Sequence, residues 1–204
     1  MTLLDCYIPV FTLITDIEAN YTQYDCFQEI STKCTLAIEQ AVLRSEEINV
    51  TDKDRDAAFY AVTVFIDEKI LCSSLSFKDK WRDNLLQYKF FGCSVGGELF
   101  FEKLDSLDDK QYEAKGVFLF CLLLGFKGKH TDDETGIIAN YIATLHQSFF
   151  NELNKYPEVQ IIGTTIKLRR SRRPTFHDIT VMILGFYIVV SLLLLNRKLH
   201  YCYD

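Results

Sequence analysis

Asp67 and Glu68 are the residues of this chain whose placement most needs a chemical explanation. They sit side by side in IDEKIL, in the middle of the apolar stretch AAFYAVTVFIDEKILCSSL. Two carboxylates are costly to bury. Adjacent residues on a helix point about 100° apart, so at most one of the pair can face straight into a core. Two arrangements fit. The pair lies at a helix margin with Lys69 or a lysine from another helix beside it, or it lines an acidic cleft that docks a basic partner.

Other candidate chemistry is thinner. Gly125 to His130 reads GFKGKH, but it lacks the four-residue spacing and the Ser/Thr of a phosphate loop and follows a helix rather than a strand. His130, His146, His177 and His200 are dispersed, with no H-E-x-x-H, and no G-x-S-x-G elbow occurs. Cys6, Cys26, Cys34, Cys72, Cys93, Cys121 and Cys202 form no C-x-x-C pair. In a reducing compartment such thiols behave as small buried hydrophobes. No catalytic residue, cofactor or metal is expected.

The elements that carry these residues read as helices. The first runs to about Asn20 with Pro9 near its first turn, and the second spans about Thr22 to Glu47. Thr51-Asp52-Lys53-Asp54 opens a third with a hydroxyl cap and an acidic first turn. It is apolar on nearly every face and therefore central. A shorter amphipathic helix follows over about Lys78 to Phe90 and carries the single tryptophan, Trp81. The next comes after Gly92–Gly97 and ends near Leu107, and another starts around Asp108-Asp109 and stops at Gly125. Asp132-Asp133-Glu134 opens the last, to about Asn154. Val117 to Phe126 is too short to span a bilayer and reads as a buried core helix. The expectation is an all-α body of about seven helices.

The end of the chain is different. Ile179 to Leu195 holds seventeen residues without a charge, a run of about 25 Å that snorkelling by Arg197 and Lys198 would lengthen. A buried core helix would instead leave those two cations and a polar tail to be housed. Lys167, Arg169, Arg170, Arg172 and Arg173 precede the run, and five cations against two place the preceding side in the cytoplasm. The beginning of the chain carries acidic residues and no basic one before its apolar stretch, so it does not read as a signal peptide. The expected organisation is a cytoplasmic helical domain over 1–166, a basic linker over 167–178, a transmembrane anchor over 179–195 and a short periplasmic tail over 196–204. Residues 1–166 carry 15 Lys/Arg against 26 Asp/Glu, and the remainder 7 against 2. The acidic body is a poor nucleic-acid binder, and the basic linker is better suited to anionic membrane lipid. Along the anchor only Gly185 and Ser191 are small, six apart. Any homodimer must therefore draw on the cytoplasmic domain.

The stretches at 57–71, Trp81, LLQYKFFGCSVGGELFFEKLDSL (85–107) and FLFCLLLGFKGKH (118–130) resemble the DotU/TssL family, also called IcmH/DotU. Its members are tail-anchored inner-membrane components of bacterial type VI and type IVB secretion systems. The resemblance implies a hook-like cytoplasmic domain of two packed helical bundles and structural work in a membrane complex. It also implies an IcmF/TssM-type inner-membrane partner and TssK-like baseplate partners. Asp67 and Glu68 occupy the family's acidic position, which favours a partner-docking role for them together with Gly96 and Gly97. The chain departs from the family at Lys129-His130-Thr131, where an arginine often ends the segment. It also stops nine residues after the anchor, so no peptidoglycan-binding extension is expected. Two other classes are weighed against this. A tail-anchored regulator of the apoptosis-regulator kind needs an Asn-Trp-Gly-Arg-like groove motif, which Trp81-Arg82 does not provide. A membrane-bound enzyme needs convergent polar residues in a pocket, and the sequence offers only Asp67-Glu68.

Overall fold

A helix buried on all sides must sit where its neighbours can surround it, and the chain arranges its other helices accordingly. The computed structural model describes residues 1–131 and 136–153. The elements within them are α1 (Leu3–Ala19), α2 (Phe27–Glu46), α3 (Asp52–Cys72), α4 (Lys78–Arg82), α5 (Leu86–Phe91), α6 (Gly96–Asp105), α7 (Tyr112–Leu123) and α8 (Ile137–Leu153). Short 3-10 turns lie at Tyr21–Gln23 and Gly128–His130. The all-α expectation holds for these residues. Lys167 to Lys198, with the expected linker and anchor, lie outside the described residues, as do Asp132, Asp133 and Glu134.

Helix α3 is central. Eight consecutive residues, Tyr60 to Asp67, are buried, and the helix packs against α1, α2, α4, α5, α6 and α7. Thr51 caps it by accepting a hydrogen bond from the Asp54 amide at 3.1 Å, as the sequence indicates. Around α3 the buried side chains form one continuous core that includes Tyr7, Phe65, Trp81, Phe100, Phe118 and Phe126. Any division of the domain into two bundles therefore shares α3. The apolar run of α7 is a core helix, with Val117, Phe118, Leu119, Cys121 and Leu122 buried. Gly125 then leaves it at φ +91, a conformation that favours glycine.

Several boundaries differ from the sequence reading. Helix α1 begins at Leu3, and Pro9 lies inside it. A reciprocal capping box fixes that start, with the Asp5 amide donating to Thr2 Oγ1 and the Thr2 amide to Asp5 Oδ2. The second helix begins at Phe27, because Asn20 and Tyr24 both turn back to bond Asp16 and hold a 3-10 turn between the helices. The single helix expected over 78–90 is broken into α4 and α5. Of the cysteines, Cys6, Cys34 and Cys121 are buried as expected, while Cys26 and Cys72 are exposed.

The glycines of α6 are set by close approach. A Cβ on Gly96 would lie 2.5 Å from Gln87 Oε1 and 2.7 Å from both Val64 methyls. A Cβ on Gly97 would lie 3.2 Å from the Gly128 backbone. Gly92 has φ +68 but open space around it. Gly96→Ala should therefore cost about 2–3 kcal/mol of stability, lowering Tm by roughly 5–10 °C. Gly97→Val should be comparably damaging, while Gly92→Ala should cost only about 1 kcal/mol of backbone strain. Thermal melts of the three variants check the order, and Gly92→Ala as the most damaging change would contradict it.

Candidate functional site

The candidate residues converge where α3, α5, α6 and the turn after α7 meet. Asp67 is fully buried. Its Oδ1 accepts from Trp81 Nε1 at 2.9 Å and from the Leu86 amide at 3.0 Å, and its Oδ2 from the Gln87 amide at 2.8 Å. Leu86 and Gln87 are the first residues of α5, whose amides have no partner within the helix. This is why the chain breaks between α4 and α5. An unbroken helix would consume those amides internally and leave the carboxylate unpaired in the core. The effect passes onward through Gln87, whose Oε1 accepts from the Gly96 amide at 2.8 Å and so fixes the start of α6.

Glu68, about 100° round the helix, serves the opposite wall. Its Oε1 accepts from the Lys127 amide and its Oε2 from the Gly128 amide, both at 2.7 Å. The turn it holds packs against Gly97 of α6. Lys69 continues the pattern, pairing with Glu18 at 2.8 Å and donating to the Leu124 carbonyl at the end of α7. Between these walls lies a cleft of about 440 Å³, lined among others by Val64, Glu68, Leu71, Cys72, Gly97 and Lys127.

Burial pushes the Asp67 carboxyl above its ordinary pKa, against the opposing effect of the Gln87, Leu86 and Trp81 donors. Burial raises Glu68 as well, against the Lys127 and Gly128 amides and the charge of Lys69. Glu113 is raised for the same reason, while its Oε2 accepts from the Leu3 amide at 2.8 Å.

The four residues expected at the site are brought together, but in unequal positions. Glu68 and Gly97 line the cleft, and Asp67 and Gly96 lie behind it in the core. Both carboxylates face backbone amides, so any contribution of Asp67 to docking is indirect. Sequence reasoning missed Gln87, Glu113 and Arg55, and read Asp54 only as part of an acidic first turn. Asp54 is buried and accepts from the Ala114 amide near the start of α7. Arg55 donates to the Ser45 carbonyl in the last turn of α2 and to the Ile48 carbonyl just beyond it. Asp54 and Arg55 also bond Thr51 and Asp52 three residues away, but the partners that tie these four side chains to other elements are 7 to 110 residues away, and nothing local announces them. Among the described residues no group of His, Cys, Asp and Glu is placed to hold a metal ion.

Asp67→Asn keeps the shape but turns an amide donor toward backbone donors. It should cost about 3 kcal/mol and lower Tm by roughly 6–12 °C. Glu68→Gln retains one acceptor at a half-buried site and should cost less. A wild-type melt for Asp67→Asn would remove the structural role. The pH dependence has a definite sign. A carboxyl with a raised native pKa takes up its proton more readily in the folded state than in the unfolded chain. The stability contributed by Asp67, Glu68 and Glu113 is therefore fully present below the unfolded value, about 4.3 for Glu, and is lost as the pH rises through the native value. Melting temperature should rise as the pH falls from neutral toward the upper edge of the carboxylate range. Glu68→Gln should flatten that rise, and an unchanged slope would exclude Glu68 as a source.

The family described as type VI secretion system protein DotU matches residues 2–201. The cytoplasmic domain of TssL from Acinetobacter baumannii is 26% identical with a TM-score of 0.66, covering 74% of this chain and 98% of that one. TssL from Vibrio cholerae is 23% identical with a TM-score of 0.62, covering 73% and 95%. SciP/TssL from enteroaggregative Escherichia coli 042 is 21% identical with a TM-score of 0.58, covering 70% and 84%. No curated protein shows significant similarity. The chain belongs to the DotU family and is a component of a type VI secretion system.

Proposed function

We propose that this DotU-family protein is held in the bacterial inner membrane by residues 179–195, with residues 1–166 in the cytoplasm and 196–204 in the periplasm. Its helical domain links an IcmF/TssM-type inner-membrane protein to TssK-like baseplate components, and it works by binding rather than by catalysis. The observation that carries this reading is the extent of the family match. Residues 2–201 take in both the helical domain and the uncharged run Ile179–Leu195. The cations on either side of that run, with Arg169, Arg170, Arg172 and Arg173 before it and Arg197 and Lys198 after it, favour the stated orientation. Among the described residues no helix is long and apolar enough to cross a membrane. In this reading the cleft bounded by Glu68, Gly97 and Gly128 is a docking surface, and Asp67 and Gly96 hold its walls.

Affinity purification of the full chain from membranes, followed by mass spectrometry, should recover the IcmF/TssM-type protein and baseplate components. Recovery should fall in Gly97→Val and in Glu68→Gln, provided each variant still melts as a folded protein. Undiminished recovery from a folded cleft variant would move docking elsewhere, and absence of both partners from the wild type would overturn the linking role. The topology has its own readout. A membrane-impermeant thiol reagent should label Cys202 in intact spheroplasts, whereas labelling only after lysis would reverse the orientation.

A further inference from the structure

Away from the cleft, one face of the domain joins exposed apolar side chains to unpaired carboxylates. On α2, Leu36 and Leu43 are 50% and 61% exposed, and Glu39 and Glu46 are exposed beside them. At 100° per residue, Leu36, Glu39, Val42, Leu43 and Glu46 fall within a sector of about 120°. At the edge of this sector that meets α3, marked by Val42 and Glu46, Asp52, Asp56 and Phe59 lie on one side of α3 at i, i+4 and i+7. A groove of about 210 Å³ runs between the two helices, with Val42 and Phe59 in its lining and Glu46, Asp52 and Asp56 around them. Phe59 is braced from behind by Phe90 and Phe91, at 5.2 and 5.1 Å between ring centroids.

The charges here are unbalanced. Arg55 lines the groove, but its guanidinium is committed to the Ser45 and Ile48 carbonyls and to Asp52 at 2.6 Å. Among the described residues Glu39, Glu46 and Asp56 form no ion pair. Lys89, which donates to Thr35 of α2, is a neighbouring cation.

We propose that this groove docks a basic amphipathic helix from a partner protein. The partner's apolar residues would cover Leu36, Val42, Leu43 and Phe59, and its Lys or Arg side chains would meet Glu39, Glu46 and Asp56. The seven-residue spacing of Leu36 and Leu43 is the repeat on which helices pack side by side. The sign of the partner follows from the carboxylates and from the surrounding body, where residues 1–166 carry 26 Asp/Glu against 15 Lys/Arg. An acidic partner, including a second copy of this face, would meet like charge along the whole contact. The groove shares no residue with the cleft around Glu68, so the two surfaces can be tested separately.

The probe is a synthetic helical peptide of Leu/Lys heptads, with a Leu/Glu peptide of equal length as control, titrated onto the full chain in detergent. The expected result is saturable one-to-one binding of the Leu/Lys peptide only. Glu46→Lys and Leu43→Ser should each weaken it at least tenfold, while Asp83→Lys, an equal charge change on α4's flank, and Glu68→Gln in the cleft should not. Glu46 in the groove and Leu43 beside it are both exposed, so unchanged melting temperatures show that the variants remain folded. Equal loss in Asp83→Lys would reduce the effect to bulk charge, and full binding by Glu46→Lys would place the peptide elsewhere; either overturns the proposal. A photo-cross-linking residue at position 43 in cells with an assembled secretion system gives a second readout. A cross-link to a basic helical segment of another component supports the groove. A cross-link to another copy of this chain, to an acidic segment, or to nothing overturns it.

Discussion

The carboxylate of Asp67 is the interaction on which the other parts depend. A charge with no exposure in an apolar core is tolerable only if donors surround it, and three do: one indole N–H and two backbone amides. Each of those donors is itself a problem elsewhere. The Trp81 N–H is buried with its ring, and the Leu86 and Gln87 amides belong to a helix start that has no internal partner. One buried charge therefore satisfies three groups that would otherwise be orphaned. Removing any member leaves a cost on the remaining ones, which is why the arrangement specifies a single conformation rather than adding a little stability.

The same device recurs along α3. Asp54 receives the start of α7, Glu68 the turn beyond its end, and Arg55 and Lys69 donate to carbonyls near the ends of α2 and α7. Asp54 at the start of α7, and the cations Arg55 and Lys69 at the ends of α2 and α7, have the signs that the helix dipole favours, while Glu68 meets the amides that open the Gly128–His130 turn. An all-helical domain with many short elements has many ends to satisfy. Here one long central helix supplies much of that service through side chains projecting in different directions. The cleft follows from it. Asp67 and Glu68 differ by one residue, so they point to different walls, and the backbone contact between Gly97 and Gly128 joins those walls on the far side.

What the residues disclosed in advance, and what they concealed, divides along sequence distance. The start of α3 could be read because Thr51 and Asp54 are three residues apart and cap locally. The end of α7 could be read because Gly125 is a local chain reversal. The true start of α1 was also local, in the Thr2–Asp5 box, but Pro9 suggested a later one. The break between α4 and α5 could not be read, because its cause is a carboxylate 19 and 20 residues upstream of the two amides. For the site, composition identified Asp67 and Glu68 as anomalous within an apolar helix. It could not tell whether their oxygens faced water or the backbone, since that depends on a turn 59 and 60 residues later.

That difference bears on how the domain can present charge. Acidic residues in a sequence suggest an acidic surface, yet Asp54, Asp67, Glu68 and Glu113 all direct oxygens at backbone amides of other elements. Their charge is largely spent on holding helix ends, and in a binding contact they would act by shaping a wall rather than by attracting a cation. Carboxylates free to attract one are exposed and form no ion pair among the described residues, as with Glu39 and Glu46 on α2 and Asp56 in the second turn of α3. Because Glu39, Glu46 and Asp56 are exposed and outside the set that holds helix ends, they can change with limited effect on the architecture, whereas a change at Glu68 touches both a turn and the cleft wall. For a component that must keep one shape while meeting several partners in a secretion complex, that separation is the physical condition that lets binding surfaces vary without loss of the fold.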